Sequence, residues 1–245
     1  MIEHLIYYQF GFFAPNTHLQ PKPDIIGRLL EAFKDKGFIP TTAQELQQIG
    51  PAIKTGLQLQ FTSPNREWNL AFEPHRALLK KENVGGTGMG SPEDFCEEAN
   101  EIFDRLLKVN PFTGTRLSYA TKGLLPELNP AKLDEVNKRI LNLLPFYTKY
   151  PPYQWTTRNV ARFDVHLGEM TESLNVITDI NRVQGTIARD VGPLSFDRIE
   201  IGFDINTYQE NTTPRFTTNH VGLFLQEAIK QSQNVMVEIE SKLNE

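Results

Sequence analysis

Apolar and polar positions along the chain alternate with two distinct periods, and the order of those periods repeats. Leu5 to Phe13 is apolar and aromatic without a helical stripe, which predicts a mostly buried strand ended by Pro15, Pro21 and Pro23. From Asp24, the apolar residues Ile25, Ile26, Leu29 and Phe33 recur at helical spacing until Gly37, which predicts a helix. Thr42 and Glu45 read as a capping box for one short extra turn, closed by Gly50 and Pro51. Leu57, Leu59 and Phe61 alternate with glutamines, and after the turn Ser63-Pro64-Asn65 the same alternation returns as Trp68, Leu70 and Phe72. A third strand follows through Leu78 and Leu79. After a glycine-rich loop, Ser91, Pro92, Glu93 and Asp94 open a helix whose buried stripe is Phe95, Ala99, Ile102, Phe103 and Leu106.

The second series begins with a short strand from Arg116 to Ala120. A helix follows, capped by Asn129 with Pro130 behind it, and Leu133, Val136, Ile140, Leu143 and Leu144 make its inner face. Three strands come next. Phe163, Val165 and Leu167 alternate with Arg162, Asp164 and His166; Leu174 to Val183 is long; Ile199, Ile201, Phe203 and Ile205 alternate with polar neighbours. A final amphipathic helix from about Thr217 to Leu243 carries Val221, Phe224, Leu225, Ala228, Ile229, Val235, Met236 and Ile239 on one face, and spans roughly 40 Å at 1.5 Å per residue.

Both series read strand, helix, three strands, helix. The expected fold is therefore α+β: tandem βαβββα units over residues 1–112 and 113–245, with antiparallel sheet and long helices packed on one face. A doubled unit of this kind closes into one pseudo-symmetric body and places its ligand in the groove or on the seam between the copies.

Composition narrows the class. Hydrophobic residues at 39% and charged residues at 22% fit a folded chain rather than a disordered one. A net charge of −5 makes nucleic acid an unlikely partner while leaving room for a local basic strip. The single cysteine, Cys96, suits a reducing compartment, and neither a signal peptide nor a membrane-length apolar run is present, so the expected location is cytoplasmic.

Candidate chemistry is thin. The loop Gly85 to Gly90, with Gly86 and Gly88, stands before a helix start, where free N–H groups attract anions. No Lys-Ser or Lys-Thr pair follows, however, and Glu93 and Asp94 would repel a phosphate, so a connector or ligand lid is expected there. Arg162, Asp164 and His166 share one side of their strand, as do Glu200, Asp204 and Asn206 of another; were those strands neighbours, the residues would form a polar patch. The stretch from Pro145 to Trp155, with Tyr147, Tyr150, Tyr153 and Trp155, is the most aromatic in the chain; exposed it would recognise a partner, but packing between the halves is expected. The five histidines are scattered without metal-ligand spacing, and no nucleophile elbow is present, so no metal and no cofactor are expected.

The run Ile199-Glu200-Ile201-Gly202-Phe203-Asp204-Ile205-Asn206-Thr207-Tyr208 before the last helix, with the strand pair Leu57–Phe61 and Trp68–Phe72 before the helix Phe95–Leu106, resembles a sporadically distributed family of uncharacterised bacterial proteins of similar length. The resemblance implies a prokaryotic or phage-borne cytosolic protein, an accessory in conflict between host and mobile element. The favoured reading of the sequence is thus a non-enzymatic binding or adaptor protein for a protein partner or small effector, compatible with a homo-oligomer. The alternative is a metal-dependent hydrolase or nuclease using Asp164, His166, Glu200 and Asp204.

Overall fold

Alternate residues of β1 (His4–Phe13) divide between two environments, with Tyr8, Phe10 and Phe12 buried and Tyr7 and Gln9 on the opposite side. This strand lies at the centre of the fold in the computed structural model, which describes residues 2–14, 22–49, 52–84, 88–141, 143–187 and 194–244. On one side β1 pairs with β5 (Arg76–Glu82), and beyond it lie β4 (Trp68–Glu73), β3 (Ala52–Thr62) and the edge strand β2 (Ile39–Ile49). On its other side comes β6 (Arg116–Leu124), then β9 (Leu194–Thr207), β8 (Met170–Ile187) and the opposite edge β7 (Trp155–Leu167). Every pairing is antiparallel, so the nine strands described form one sheet in the order β2-β3-β4-β5-β1-β6-β9-β8-β7.

The helices begin where the sequence stops them fraying. In α2 (Pro92–Val109) the Ser91 hydroxyl accepts from the Asp94 backbone N–H at 3.0 Å and the Asp94 carboxylate accepts from the Ser91 N–H at 2.8 Å, so two otherwise unpaired donors are satisfied reciprocally. In α3 (Pro130–Ile140) the Asn129 side chain accepts from the Lys132 N–H at 2.9 Å. Pro23 opens α1 (Pro23–Ala32), and Gly37, at φ 64°, closes the 3-10 turn after it in the left-handed region open to glycine.

The buried side chains fall into two clusters. In the first, the Phe10 ring meets Phe103 of α2 edge-on at 4.7 Å and Phe224 of α5 (Thr218–Asn244) at 6.2 Å, so one strand residue ties both long helices to the sheet. Burial of each such phenylalanine contributes about 2–3 kcal/mol. The second gathers Leu133 and Val136 of α3, Ile199, Ile201 and Phe203 of β9, and Ile239 and Leu243 of α5.

Two expectations are corrected. Thr42 and Glu45 do not cap a turn: they lie in β2, which pairs with β3 from Ile39↔Thr62 to Ile49↔Ala52, and eleven residues of ladder satisfy far more backbone than one isolated turn. The first half consequently has four strands after its first helix rather than three. The helix α3 also ends earlier than its apolar pattern suggests, at Ile140, and Leu144 is 65% exposed at the start of the short α4 (Pro145–Lys149).

Candidate functional site

Strand pairing places the polar side chains of the middle strands on the face away from Phe10. Tyr7 and Gln9 of β1, Ser118, Ala120 and Lys122 of β6, Gly202 and Asp204 of β9, Asp179 and Asn181 of β8, and Thr156 and Arg158 of β7 follow one another across it. Gly11 belongs to the same surface, where a Cβ would come within 2.6 Å of the Ser118 hydroxyl, so a side chain there would fill the space. Across this face runs a groove of 660 Å³, lined by five cations, Arg76, Arg116, Lys122, Arg158 and Arg182, and by two carboxylates, Asp179 and Asp204. The surplus is positive in a chain whose net charge is −5.

Four of these cations are engaged. Arg76 reaches Glu73 at 2.5 Å, Lys122 reaches Glu200 at 3.1 Å, Arg158 reaches Asp179 at 2.7 Å, and Arg182 holds Asp197 at 2.9 Å with Asp134 beyond at 3.6 Å. Arg116 differs. It has no ion pair among the described residues, and its buried Nε has no hydrogen-bond partner. Its guanidinium lies 4.7 Å from the centre of the Phe13 ring, which Arg76 also approaches, at 5.5 Å. Burial pulls the Arg116 pKa below the ordinary arginine value and the neighbouring Arg76 adds to that, while Asp204 works in the opposite direction. A half-buried cation beside another cation is a strained arrangement that an anion in the groove would relieve. The buried side-chain oxygen of Asn181, on the same wall, also has no partner.

The sequence-derived patch is divided by this topology. β8 separates β7 from β9, so the two strands stand about 10 Å apart. A relay does cross the gap: Arg162 Nε donates to Asn175 at 2.7 Å, Asn175 Nδ2 donates to Asn206 at 3.1 Å, and Asn206 Nδ2 donates to Asp204 at 3.0 Å. Asp164 instead accepts from Ser173, and His166 Nδ1 meets the Thr171 hydroxyl at 3.2 Å. Glu200 lies level with Asn181 and Thr156, roughly 30 Å along the strand from His166. The four residues Asp164, His166, Glu200 and Asp204 therefore do not converge, and among the described residues no three of His, Cys, Asp or Glu are grouped to hold a metal ion.

The aromatic connector is not packed between the halves. Tyr147, Tyr150 and Tyr153 are exposed, and Phe146 meets Tyr147 edge-on at 5.3 Å and Tyr150 at a tilt at 5.2 Å, so a single helical turn covers its rings with one another. Trp155 is the exception, buried at the start of β7. Gly88 is exposed at φ 100°, and Gly86 lies outside the described residues. Burial raises the Cys96 thiol to about 11, which leaves it no thiolate for nucleophilic work at neutral pH.

No protein-family model matches the chain, and no curated protein matches it. Among solved structures it is similar to a rolling circle replication initiator protein from Geobacillus stearothermophilus, at 10% identity and a TM-score of 0.30, over 93% of this chain and 78% of that one. The expectation of a non-enzymatic adaptor serving host and mobile-element conflict is corrected here: the open sheet face presents a charged groove rather than an apolar docking surface. No helix among the described residues is long and apolar enough to cross a membrane.

Proposed function

We propose that the chain acts on nucleic acid, holding a phosphodiester backbone in the groove of its open sheet face. Arg116 carries this reading: a guanidinium without an ion pair among the described residues, set among other cations, is suited to phosphate oxygens. The unpaired oxygen of Asn181 adds a requirement for a donor, which a nucleobase edge or a ribose hydroxyl supplies. The expectation against nucleic acid rested on net charge, a property that says nothing about where the charges cluster.

Hydrolysis is the second reading, favoured by the position of Asp179 and Asp204 on the wall that carries Arg116. The described residues do not fit a preformed metal centre, so no step is assigned to an ion. We also read residues 1–112 and 113–245 as two copies of one unit with helices on a shared face. In support, the first strands of the halves, β1 and β6, pair with each other, and their last helices, α2 and α5, pack together.

The test is fluorescence anisotropy with a labelled random oligonucleotide across a salt series, repeated with Arg116→Met. Binding at low salt that weakens linearly in log salt and falls at least about tenfold in the variant is expected. An absence of binding at low salt overturns the proposal. Incubation of the same oligonucleotide with Mn²⁺ decides the hydrolytic reading, since an intact strand excludes it.

A further inference from the structure

Seven consecutive residues of the edge strand β7, 158–164, are exposed, and its register with β8 runs without a bulge from Trp155↔Arg182 to Leu167↔Met170. A long, regular edge without a bulge is a template for another strand. Two of its charges are also left over: among the described residues neither Arg162 nor Asp164 forms an ion pair. Arg162 uses Nε on Asn175 and lies 4.4 Å from the Tyr208 ring, and Asp164 accepts only from Ser173.

We propose that β7 pairs antiparallel with β7 of a second copy about a two-fold axis through Phe163, making one continuous sheet. The register follows from the residues. With both open faces turned the same way, directly opposed residues share a face, so the axis passes through a residue. Centring it on Phe163 sets Phe163 against its own copy, Ala161 against Val165, and Arg162 against Asp164 twice. Phe163 is 37% exposed and Val160 is 60% exposed, so apolar surface is available to bury. Directly opposed side chains in such a pair stand about 5 Å apart, within reach of aromatic and ionic contact. Centring on Ala161 instead would oppose Asn159 to Phe163 and Val160 to Arg162, and would set Asp164 against Arg158, whose guanidinium Asp179 already holds at 2.7 Å.

The inference is independent of the groove's ligand. Sedimentation velocity and light scattering of the intact chain should give twice the 28.0 kDa of one copy. Arg162→Asp and Asp164→Arg, each made alone, should run as monomers, because each puts like charges in opposition at both sites. An equimolar mixture of the two variants should restore the dimer. Phe163→Cys should form an intermolecular disulfide on oxidation, with the native Cys96 buried and not competing. A wild-type chain that stays at the mass of one copy at the highest concentration reached overturns the proposal. So does a dimer that survives both charge reversals.

Discussion

Trp155 donates its indole N–H to the side-chain oxygen of Asn137, and the amide of Asn137 donates in turn to the Pro152 carbonyl at 3.2 Å. A buried residue of α3 thereby fixes both the end of the aromatic connector and the first residue of β7. Replacing Asn137 with Ala leaves the indole donor unpaired in the interior and should lower stability by about 1–3 kcal/mol. Urea denaturation monitored by tryptophan fluorescence checks this. An unchanged midpoint would show that water substitutes for the amide.

The pair Arg182 and Asp197 gives stability a dependence on acid. The Arg182 guanidinium, with Gln184 assisting, holds the Asp197 carboxyl below its ordinary 3.8. A depressed folded-state pKa contributes stability that is fully present above 3.8 and is lost as the pH falls through the folded value. Thermal melts of the wild type should therefore lose stability below about pH 4, with a smaller loss in Asp197→Asn. Parallel pH profiles would place the acid sensitivity elsewhere.

Arg116→Met should be neutral or stabilising while weakening the binding proposed for the groove. The substitution removes a half-buried charge that forms no ion pair among the described residues. Thermal melting alongside anisotropy separates the two effects, and a marked drop in melting temperature would mean that Arg116 is structural.

Phe224 has no exposed surface and touches Phe10 beneath the sheet. Phe224→Asp should abolish folding because it buries a carboxylate without a partner. Tyr150→Ala and Tyr153→Ala, at positions 54% and 71% exposed, should leave the circular dichroism spectrum and melting temperature nearly unchanged.

At the capping box, Ser91→Ala should lower stability by about 1 kcal/mol. Equilibrium unfolding measures it directly. Restoration by Ser91→Thr would identify the hydroxyl as the group responsible.

Local chemistry was legible wherever the local signal and the tertiary outcome agreed. Ser91 and Pro92 mark the start of α2, its stripe from Phe95 to Leu106 is buried as its spacing indicates, and the alternation in β9 separates Ile201 and Phe203 from Glu200 and Asp204. Where a long-range partner competes with a local signal, the local reading fails: Thr42 and Glu45 resemble a cap, but the β3 ladder takes them. The candidate patch shows the same boundary. Strand parity correctly puts Arg162 and Asp204 on one face, yet nothing in either segment reveals that β8 lies between them. The groove was hidden for a related reason. Arg76, Arg116 and Arg158 come from three strands far apart in the chain, and only the sheet order gathers them.

The pairing of β1 with β6 has a kinetic corollary. Thr121 donates its hydroxyl to the Tyr7 carbonyl across 114 positions of sequence, while the hairpins β3–β4 and β4–β5 close over short loops. Hairpins should therefore form early, and the seam joining them should close late, after the entropy of a large loop has been overcome. Refolding from denaturant should show the Phe10 contacts among the last to become protected from hydrogen exchange, with the unpaired edges of β1 and β6 the surfaces most prone to aggregate in the interval.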